Sequence, residues 1–229
     1  MTATVKIITT VALQAVFEKL EPALKAATGH GIAMVFGPPS AAVEMVQQGE
    51  AADLVVSTRD GIDTLARAGL TGQGTVVCRM QMGLAVGLNE PKPSIATADE
   101  FKAALKAARS IIHADPKTGS PSAAHFLKVV AQLGIADEVA AKTTVRAGVV
   151  AHAVAKGECA MAVQQLAELL LVPGVHVLGP FPAALQNYLP LSVAVHGQSQ
   201  AKDAAQKLIA LLAAPAAKPI FEQAGLLAP

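Results

Sequence analysis

The residues best suited to chemistry in this sequence are hydroxyls and backbone amides at three turns. Each turn follows a strand-like stretch and precedes a helix-like one: Thr9-Thr10-Val11-Ala12, Gly37-Pro38-Pro39-Ser40, and the segment from Asp115 to Ser122. A helix N-terminus presents unpaired N–H groups and the positive end of the helix dipole, and therefore attracts anions. The hydroxyls can instead cap the helices, with Ser120 at the N-cap of the third. Either an anion site or ordinary capping is consistent with the pattern.

Two further sets of polar side chains lie in apolar surroundings. Arg79 interrupts the run Val76-Val-Cys-Arg-Met80, where a guanidinium binds an anion, pairs with a carboxylate or extends into solvent. Gln164 and Gln165 end an apolar strand, where their amides either donate to ligand oxygens or bond to each other and the backbone. The resulting candidate ligand-binding set is Thr9, Thr10, Ala12, Pro39, Ser40, Arg79, Gly119, Ser120, Ser122, Gln164 and Gln165.

Several classes of function are disfavoured by the sequence. It contains no P-loop, no G-x-S-x-G elbow and no correctly spaced G-x-G-x-x-G, and its six histidines form no H-x-x-x-H pair, so we expect no metal and no cofactor. Eighteen basic and 17 acidic residues give a net charge of +1, and there is no Trp, which disfavours nucleic-acid binding. No apolar run approaches the ~20 residues of a membrane span.

Strand-like and helix-like segments alternate along the chain, which predicts an α/β fold. Strands are expected at Val5–Thr9, Ile32–Phe36 and Asp53–Ser57, each followed by an amphipathic helix that ends at a glycine, the first of them at Gly29. Residues 76–87 are expected to form one long strand. Thr97 and Glu100 have the spacing of a capping box at the start of a later helix.

These elements predict two α/β lobes. Residues 1–82 with 192–229 are expected to form lobe I, and residues 83–191 lobe II. Two hinge crossovers would join the lobes, with a ligand cleft between them as the default binding site.

Five segments resemble the type II periplasmic binding proteins, and within them the molybdate-binding-protein-like branch. The resemblance covers nearly the whole chain and is carried by Thr9 to Leu13, Phe36 to Ala42, Gly49 to Val56, Asp115 to Ser122 and Gly157 to Gln165. It implies a two-lobed fold that binds a small anion. The segment from Ala162 to Gly174, followed by Gly179-Pro-Phe-Pro182, resembles a sub-branch that includes aconitate isomerase.

The sequence departs from the molybdate binders at the ligand. Their serines in the first two turns are matched here by Ala12 and Pro39, and their tyrosine by the Gln164-Gln165 pair. Arg79 adds a full positive charge where they use neutral donors. These departures disfavour molybdate as the ligand. The resemblance to the sub-branch that includes aconitate isomerase implies an organic di- or tricarboxylate instead.

Two functions of different class remain open. A monomeric solute-binding protein would capture the anion and, if exported, serve an ABC-transporter permease. An isomerase of a small unsaturated carboxylate such as aconitate would need a base, and neither His113 nor His125 beside the third turn is an obvious one. No leader pattern opens the sequence, so we expect a cytoplasmic protein, or a periplasmic one whose leader was removed.

Overall fold

The computed structural model describes residues 3–228 and contains ten strands and ten α-helices within them. The strands are β1 Thr4–Thr9, β2 Gly31–Phe36, β3 Leu54–Thr58, β4 Thr75–Met80, β5 Met82–Gly87, β6 Ile111–Ala114, β7 Thr143–Arg146, β8 Met161–Gln165, β9 Val175–Pro180 and β10 Leu189–Val195. The helices are α1 Gln14–Thr28, α2 Pro39–Gln47, α3 Arg59–Arg67, α4 Ala98–Ala107, α5 Pro121–Gln132, α6 Ala136–Ala140, α7 Ala151–Ala155, α8 Leu166–Leu170, α9 Lys202–Ala213 and α10 Lys218–Gln223.

The chain forms two compact units. Unit 1 comprises Met1–Met80 and Leu189–Pro229, and unit 2 comprises Gln81–Tyr188, against the expected boundaries at 82/83 and 191/192. The chain therefore passes between the units twice. The predicted α/β class is confirmed, and each unit contains one five-stranded sheet.

Unit 1 contains a five-stranded sheet in the order β2-β1-β3-β10-β4. Strands β1, β2 and β3 are parallel, and β10 is antiparallel to both of its neighbours. One side of the sheet is covered by an apolar cluster that joins Ile8 and Val55 of the strands to Val46 of α2 and Leu65 of α3. Apolar residues on the inner faces of these helices therefore fix where the turns before them lie.

Unit 2 contains a second five-stranded sheet in the order β7-β6-β8-β5-β9. Strands β7, β6 and β8 are parallel, and β5 is antiparallel to β8 and β9. Its larger core packs Phe101 of α4 and Phe126 of α5 against the strands. Phe101 meets Phe181 edge to face, with ring centroids 4.5 Å apart.

Local signals in the sequence give several boundaries correctly. Helix α1 ends at Gly29, whose φ of 75° lies in the left-handed region that favours glycine, as predicted. The capping box of α4 is also confirmed: Thr97 Oγ1 accepts from the Glu100 N–H, and Glu100 Oε2 accepts from the Thr97 N–H.

The expectation of one strand over residues 76–87 is wrong. The stretch breaks at Gln81 into β4, which pairs with β10 in unit 1, and β5, which pairs with β8 and β9 in unit 2. The residues on both sides of the break are β-branched or apolar, so strand propensity does not reveal where the chain changes sheets. Strand β7 and the short helices α6 and α8 were also absent from the predicted elements.

Candidate functional site

The first two predicted turns lie side by side in unit 1. Strands β1 and β2 are parallel with Thr9 opposite Phe36, so the segments that follow them leave the same edge of the sheet. The Gly37 N–H donates to the Thr9 carbonyl over 3.0 Å and fastens one turn to the other. Carboxyl edges of parallel strands are where α/β sheets bind ligands.

The hydroxyls of the first turn are buried and only weakly satisfied. Thr10 Oγ1 accepts from the Ala12 N–H over 3.4 Å and caps the short 3-10 turn before α1. Thr9 Oγ1 donates to the Thr10 carbonyl over 3.5 Å. Both distances are at the long end for hydrogen bonds. Within residues 3–228 the Thr10 hydroxyl accepts one bond and donates none, which leaves a proton for a ligand.

Helix α2 starts at the second turn without a side-chain cap. Its N-cap is Pro38, which has no side-chain acceptor, and the buried Pro39 occupies the first helical position. The Ser57 hydroxyl donates to the Pro39 carbonyl over 2.7 Å and holds the helix start against β3. Ser40 is exposed at the second helical position.

Helices α3 and α4, unlike α2, begin with side-chain caps. Thr58 Oγ1 accepts from the Gly61 N–H at the start of α3, and α4 carries the complete capping box at Thr97. The first turn of a helix has N–H groups with no partner inside the helix, so a missing cap leaves donors available to another acceptor. This contrast distinguishes the α2 turn from those of α3 and α4.

Arg79 lies at the same edge of the unit 1 sheet. Leu191 of β10 pairs with Thr58, the last residue of β3, on one side and with Cys78 of β4 on the other. The next pair is Pro190 with Arg79, so Arg79 lies one residue beyond the level at which β3 ends. The residue is exposed, and its N–H and carbonyl pair with Leu227. Strand β4 is three places from β1 in the sheet, a distance of about 14 Å at the usual strand spacing.

The third predicted turn forms in unit 2 as a short 3-10 turn followed by α5. Gly119 adopts a φ of 71° and the chain then enters α5 through Ser120 at the N-cap. The Ser120 hydroxyl caps no N–H; it lies 2.9 Å from the hydroxyl of the buried Ser122. The side-chain capping of α5 that the sequence allowed is therefore not formed. The start of α5 keeps its donors, as the start of α2 does.

The two glutamines at the end of β8 differ in their bonding. Gln164 Oε1 accepts from the Val150 N–H and its Nε2 donates to the Gly148 carbonyl, each over 2.9 Å, so this side chain fastens the loop after β7. Gln165 is buried, and its Oε1 has no hydrogen-bond partner among the described residues. Of the two amides, Gln165 is the one with unused hydrogen-bonding capacity.

Glu168 is a titratable group that the sequence reasoning missed. It lies three residues after Gln165 on α8, partly buried, and within the described part of the chain its carboxylate takes part in no ion pair or hydrogen bond. Burial raises its pKa to about 7. The signal in the sequence was a single acid within the apolar run Leu166–Val172.

Neither histidine that flanks the third turn is placed to act as a base for the hydroxyls of that turn. His113 Nδ1 lies 2.7 Å from the Ala114 carbonyl, and His125 Nε2 lies 2.8 Å from the Leu185 carbonyl. Burial lowers the pKa of His113, and its hydrogen bond to Ala114 and the charge of Asp115 offset this only in part. A neutral, bonded ring of this kind packs against its neighbours and has no link to the turn's hydroxyls.

Residues 3–228 contain neither a metal-binding cluster nor a membrane-spanning helix. No group of three or more His, Cys, Asp or Glu side chains there is placed to hold a metal ion. Cys78 and Cys159 are buried free thiols, and burial raises the pKa of Cys78 to about 12. Across the same residues, every helix is too short or too polar to span a bilayer.

The comparisons with known proteins agree with one another on the fold. A family model described as bacterial extracellular solute-binding protein matches residues 5–227. The periplasmic molybdate-binding protein of Azotobacter vinelandii superposes with a TM-score of 0.78 at 17% identity over 98% of this chain and 99% of its own. The sulfate-binding protein of Mycobacterium tuberculosis H37Rv gives 0.74 at 17% identity over 98% of this chain and 86% of its own.

A curated relative is an enzyme. The aconitate isomerase of a Pseudomonas species is 28% identical over 232 residues, which cover 97% of this chain and 87% of the relative.

Proposed function

The chain belongs to the bacterial extracellular solute-binding protein family, with the type II periplasmic binding fold of the molybdate-binding-like branch, and we propose that it captures a small organic di- or tricarboxylate. The observation that carries the proposal is where α2 and α5 begin, at the carboxyl edges of the parallel strands, where α/β sheets bind ligands. Both helices follow parallel strands, and neither has a side-chain cap. Free N–H groups at a helix start favour an anionic ligand.

The arrangement within unit 1 favours a carboxylate over a tetrahedral oxyanion. Thr10 and Ser40 lie at the ends of adjacent strands, whereas Arg79 lies at the end of a strand about 14 Å from β1. A compact ion seated on the two turns is remote from the guanidinium, while a longer molecule with several carboxylates can approach both. Arg79 then supplies the charged, bidentate contact that neutral donors lack.

Unit 2 contains hydroxyls and an amide that suit the same kind of ligand. Ser120 and Ser122 are hydrogen-bonded to each other and keep capacity for a further bond each. A 180° flip of the Gln165 side-chain amide exchanges the positions of Oε1, which has no partner among the described residues, and Nε2. The Nε2 N–H groups can then donate to a carboxylate from that position. In a transport role the loaded protein would deliver its ligand to a membrane permease.

Calorimetric titration of the protein with citrate, tricarballylate, molybdate and sulfate tests the proposal. We expect the tricarboxylates to bind and the two oxyanions to bind more weakly or not at all. Arg79→Ala should weaken citrate binding about 10- to 150-fold, the equivalent of about 1.5–3 kcal/mol for a charged hydrogen bond.

The matched control is Arg67→Ala, which removes an exposed guanidinium from the far end of α3 in the same unit. Its citrate affinity should equal that of the unmodified protein. Tight molybdate binding with no response to citrate would contradict the carboxylate assignment. Equal citrate affinity in both arginine variants would remove Arg79 from the site.

Isomerisation of an unsaturated carboxylate is a second candidate, favoured by Glu168. A carboxylate that titrates near neutral pH can take an allylic proton and return it to the other end of a three-carbon unit, with no net change in atoms or electrons. Helix-start N–H groups would stabilise the negative charge that develops on the substrate carboxylate. The relationship to an aconitate isomerase supports the same reaction class.

Proton NMR of cis-aconitate in D2O with the protein tests this candidate. We expect a trans product that incorporates deuterium, and a loss of rate of at least 100-fold in Glu168→Gln. The control is Glu138→Gln, which alters an exposed acid paired with Lys106 at 3.2 Å and should keep full activity. Absence of conversion at high protein concentration would leave binding as the function.

A further inference from the structure

Unit 2 contains a cavity of about 370 Å³ whose lining includes Pro116 of the third turn but neither of the serines of that turn. It opens between helices α5 and α6 and the edge strand β7, on one face of the sheet. Clefts of 300–1,000 Å³ are typical of small-molecule sites, and a cavity of about 150 Å³ already accommodates benzene. The space is therefore large enough for a molecule of two fused rings.

The walls of the cavity are apolar. Phe126, Val130 and Val139 are buried around it. Leu127 and Val145 border it while 45% and 44% exposed, unusually high for side chains of this size. Contact with a bound molecule would cover apolar surface that these two residues now present to water.

The polar group inside the cavity is His113, which is only 3% exposed. Its strand position opposite Val145 places both side chains on the face that α5 covers. The Ala114 carbonyl can only accept, so Nδ1 carries the ring proton and Nε2 carries a lone pair. In residues 3–228, no hydrogen bond is made to Nε2. The ring edge packs on Phe126 with centroids 5.2 Å apart.

The two other polar residues that border the cavity do not suit an anion. Thr143 already donates its hydroxyl proton to the Val139 carbonyl over 2.6 Å. Asp137 is exposed at the rim, in the first turn of α6, and its negative charge repels anions. A neutral ligand with a single donor matches what remains, namely apolar walls and one buried acceptor.

We propose that this cavity binds a small neutral aromatic molecule through a hydrogen bond from its N–H or O–H group to His113 Nε2. Phe126 and Val130 contact the rings from α5, and Val139 contacts them from α6. The cavity shares Pro116 with the third turn, but none of the residues proposed to bind the carboxylate lines it, and this proposal does not rest on that one.

Indole is a suitable probe because the protein contains no Trp and one Tyr, so indole fluorescence can be followed almost without background. We expect saturable binding to the full chain, with NMR shifts at the methyls of Val130, Val139 and Val145. Indene has the same two-ring shape with a C–H in place of the N–H, and it should bind about three- to tenfold more weakly. Equal affinities for the two ligands would overturn the hydrogen bond.

Three variants and a competition complete the test. His113→Phe should reduce indole affinity to that of indene, while the control His125→Phe, which changes a ring outside the cavity lining, should leave it unchanged. Ala140→Phe changes an exposed residue at the rim and should block both ligands without disturbing the core. Excess citrate should not displace indole. Displacement by citrate, or unchanged binding in Ala140→Phe, would overturn the assignment to this cavity.

Discussion

Asp53 provides a sharp test of how unit 1 is held together. The residue is 8% exposed and its carboxylate joins two distant segments. Oδ2 accepts from the Lys6 N–H over 2.8 Å, at the start of the chain. Oδ1 accepts from the Ser199 hydroxyl over 2.7 Å and from the N–H groups of Gln200 and Ala201 over 3.2 and 3.1 Å, where the chain enters α9.

Asp53→Asn keeps the shape of the side chain and removes one acceptor. If the amide oxygen faces Ser199, the new Nδ2 group faces the Lys6 N–H, and two donors confront each other. The variant loses a charged hydrogen bond, worth about 1.5–3 kcal/mol, and leaves a buried N–H without a partner. We expect the free energy of unfolding to fall by about 3 kcal/mol at pH 7.

The same substitution should change how stability depends on pH. Burial by itself would raise the pKa of Asp53, but the hydrogen bonds from Ser199, Lys6, Ala201 and Gln200 outweigh it and hold the pKa below its ordinary value. A carboxyl of this kind contributes stability above its unfolded pKa of about 3.8, and the contribution is lost as pH falls through the lower folded value.

Urea unfolding followed by circular dichroism at pH 7 and at a series of acidic pH values measures both effects. The gap between the unmodified protein and Asp53→Asn should be widest near neutral pH and narrow on acidification. Asp63→Asn is the control, because Asp63 is an exposed acid on α3 whose ion pair with Arg59 spans 4.0 Å, and it should cost under about 0.5 kcal/mol. A gap below about 1 kcal/mol for Asp53→Asn at pH 7 would refute the reasoning.

Two further predictions concern a helix cap and a thiol. Thr97→Ala removes the hydroxyl that accepts from the Glu100 N–H, and it should lower the free energy of unfolding by about 1 kcal/mol in urea titrations; an unchanged free energy would contradict this. Cys78 should resist a disulfide reagent at pH 8 in the folded protein and react once the protein unfolds. Burial raises the pKa of this thiol to about 12 and blocks access of the reagent. Rapid labelling of the folded protein would contradict this prediction.

The positions of the turns in unit 1 could be inferred from the sequence because they follow from local rules. Buried strands followed by amphipathic helices predict parallel pairing, and parallel pairing brings the ends of β1 and β2 to one edge. The end of α1 at Gly29 required only a residue that tolerates a positive φ.

Features that depend on distant partners could not be inferred in this way. The Gln164 amide bonds to Gly148 and Val150, across a loop whose preceding strand β7 has no distinctive pattern. The raised pKa of Glu168 depends on the packing around α8, which a single acid in an apolar run does not specify. Nor does the sequence show that Ser120 faces Ser122 instead of the backbone.

The order of strands in the first sheet has a consequence for biosynthesis. Strand β10 lies between β3 and β4, yet it is made only after all of residues 81–188. Until Leu189–Val195 leaves the ribosome, β3 and β4 have open edges with no neighbour to pair with, while the uninterrupted middle segment is already complete. The sheet of unit 1 is therefore incomplete, with strand edges open to association, until a strand from near the other end of the chain has been made.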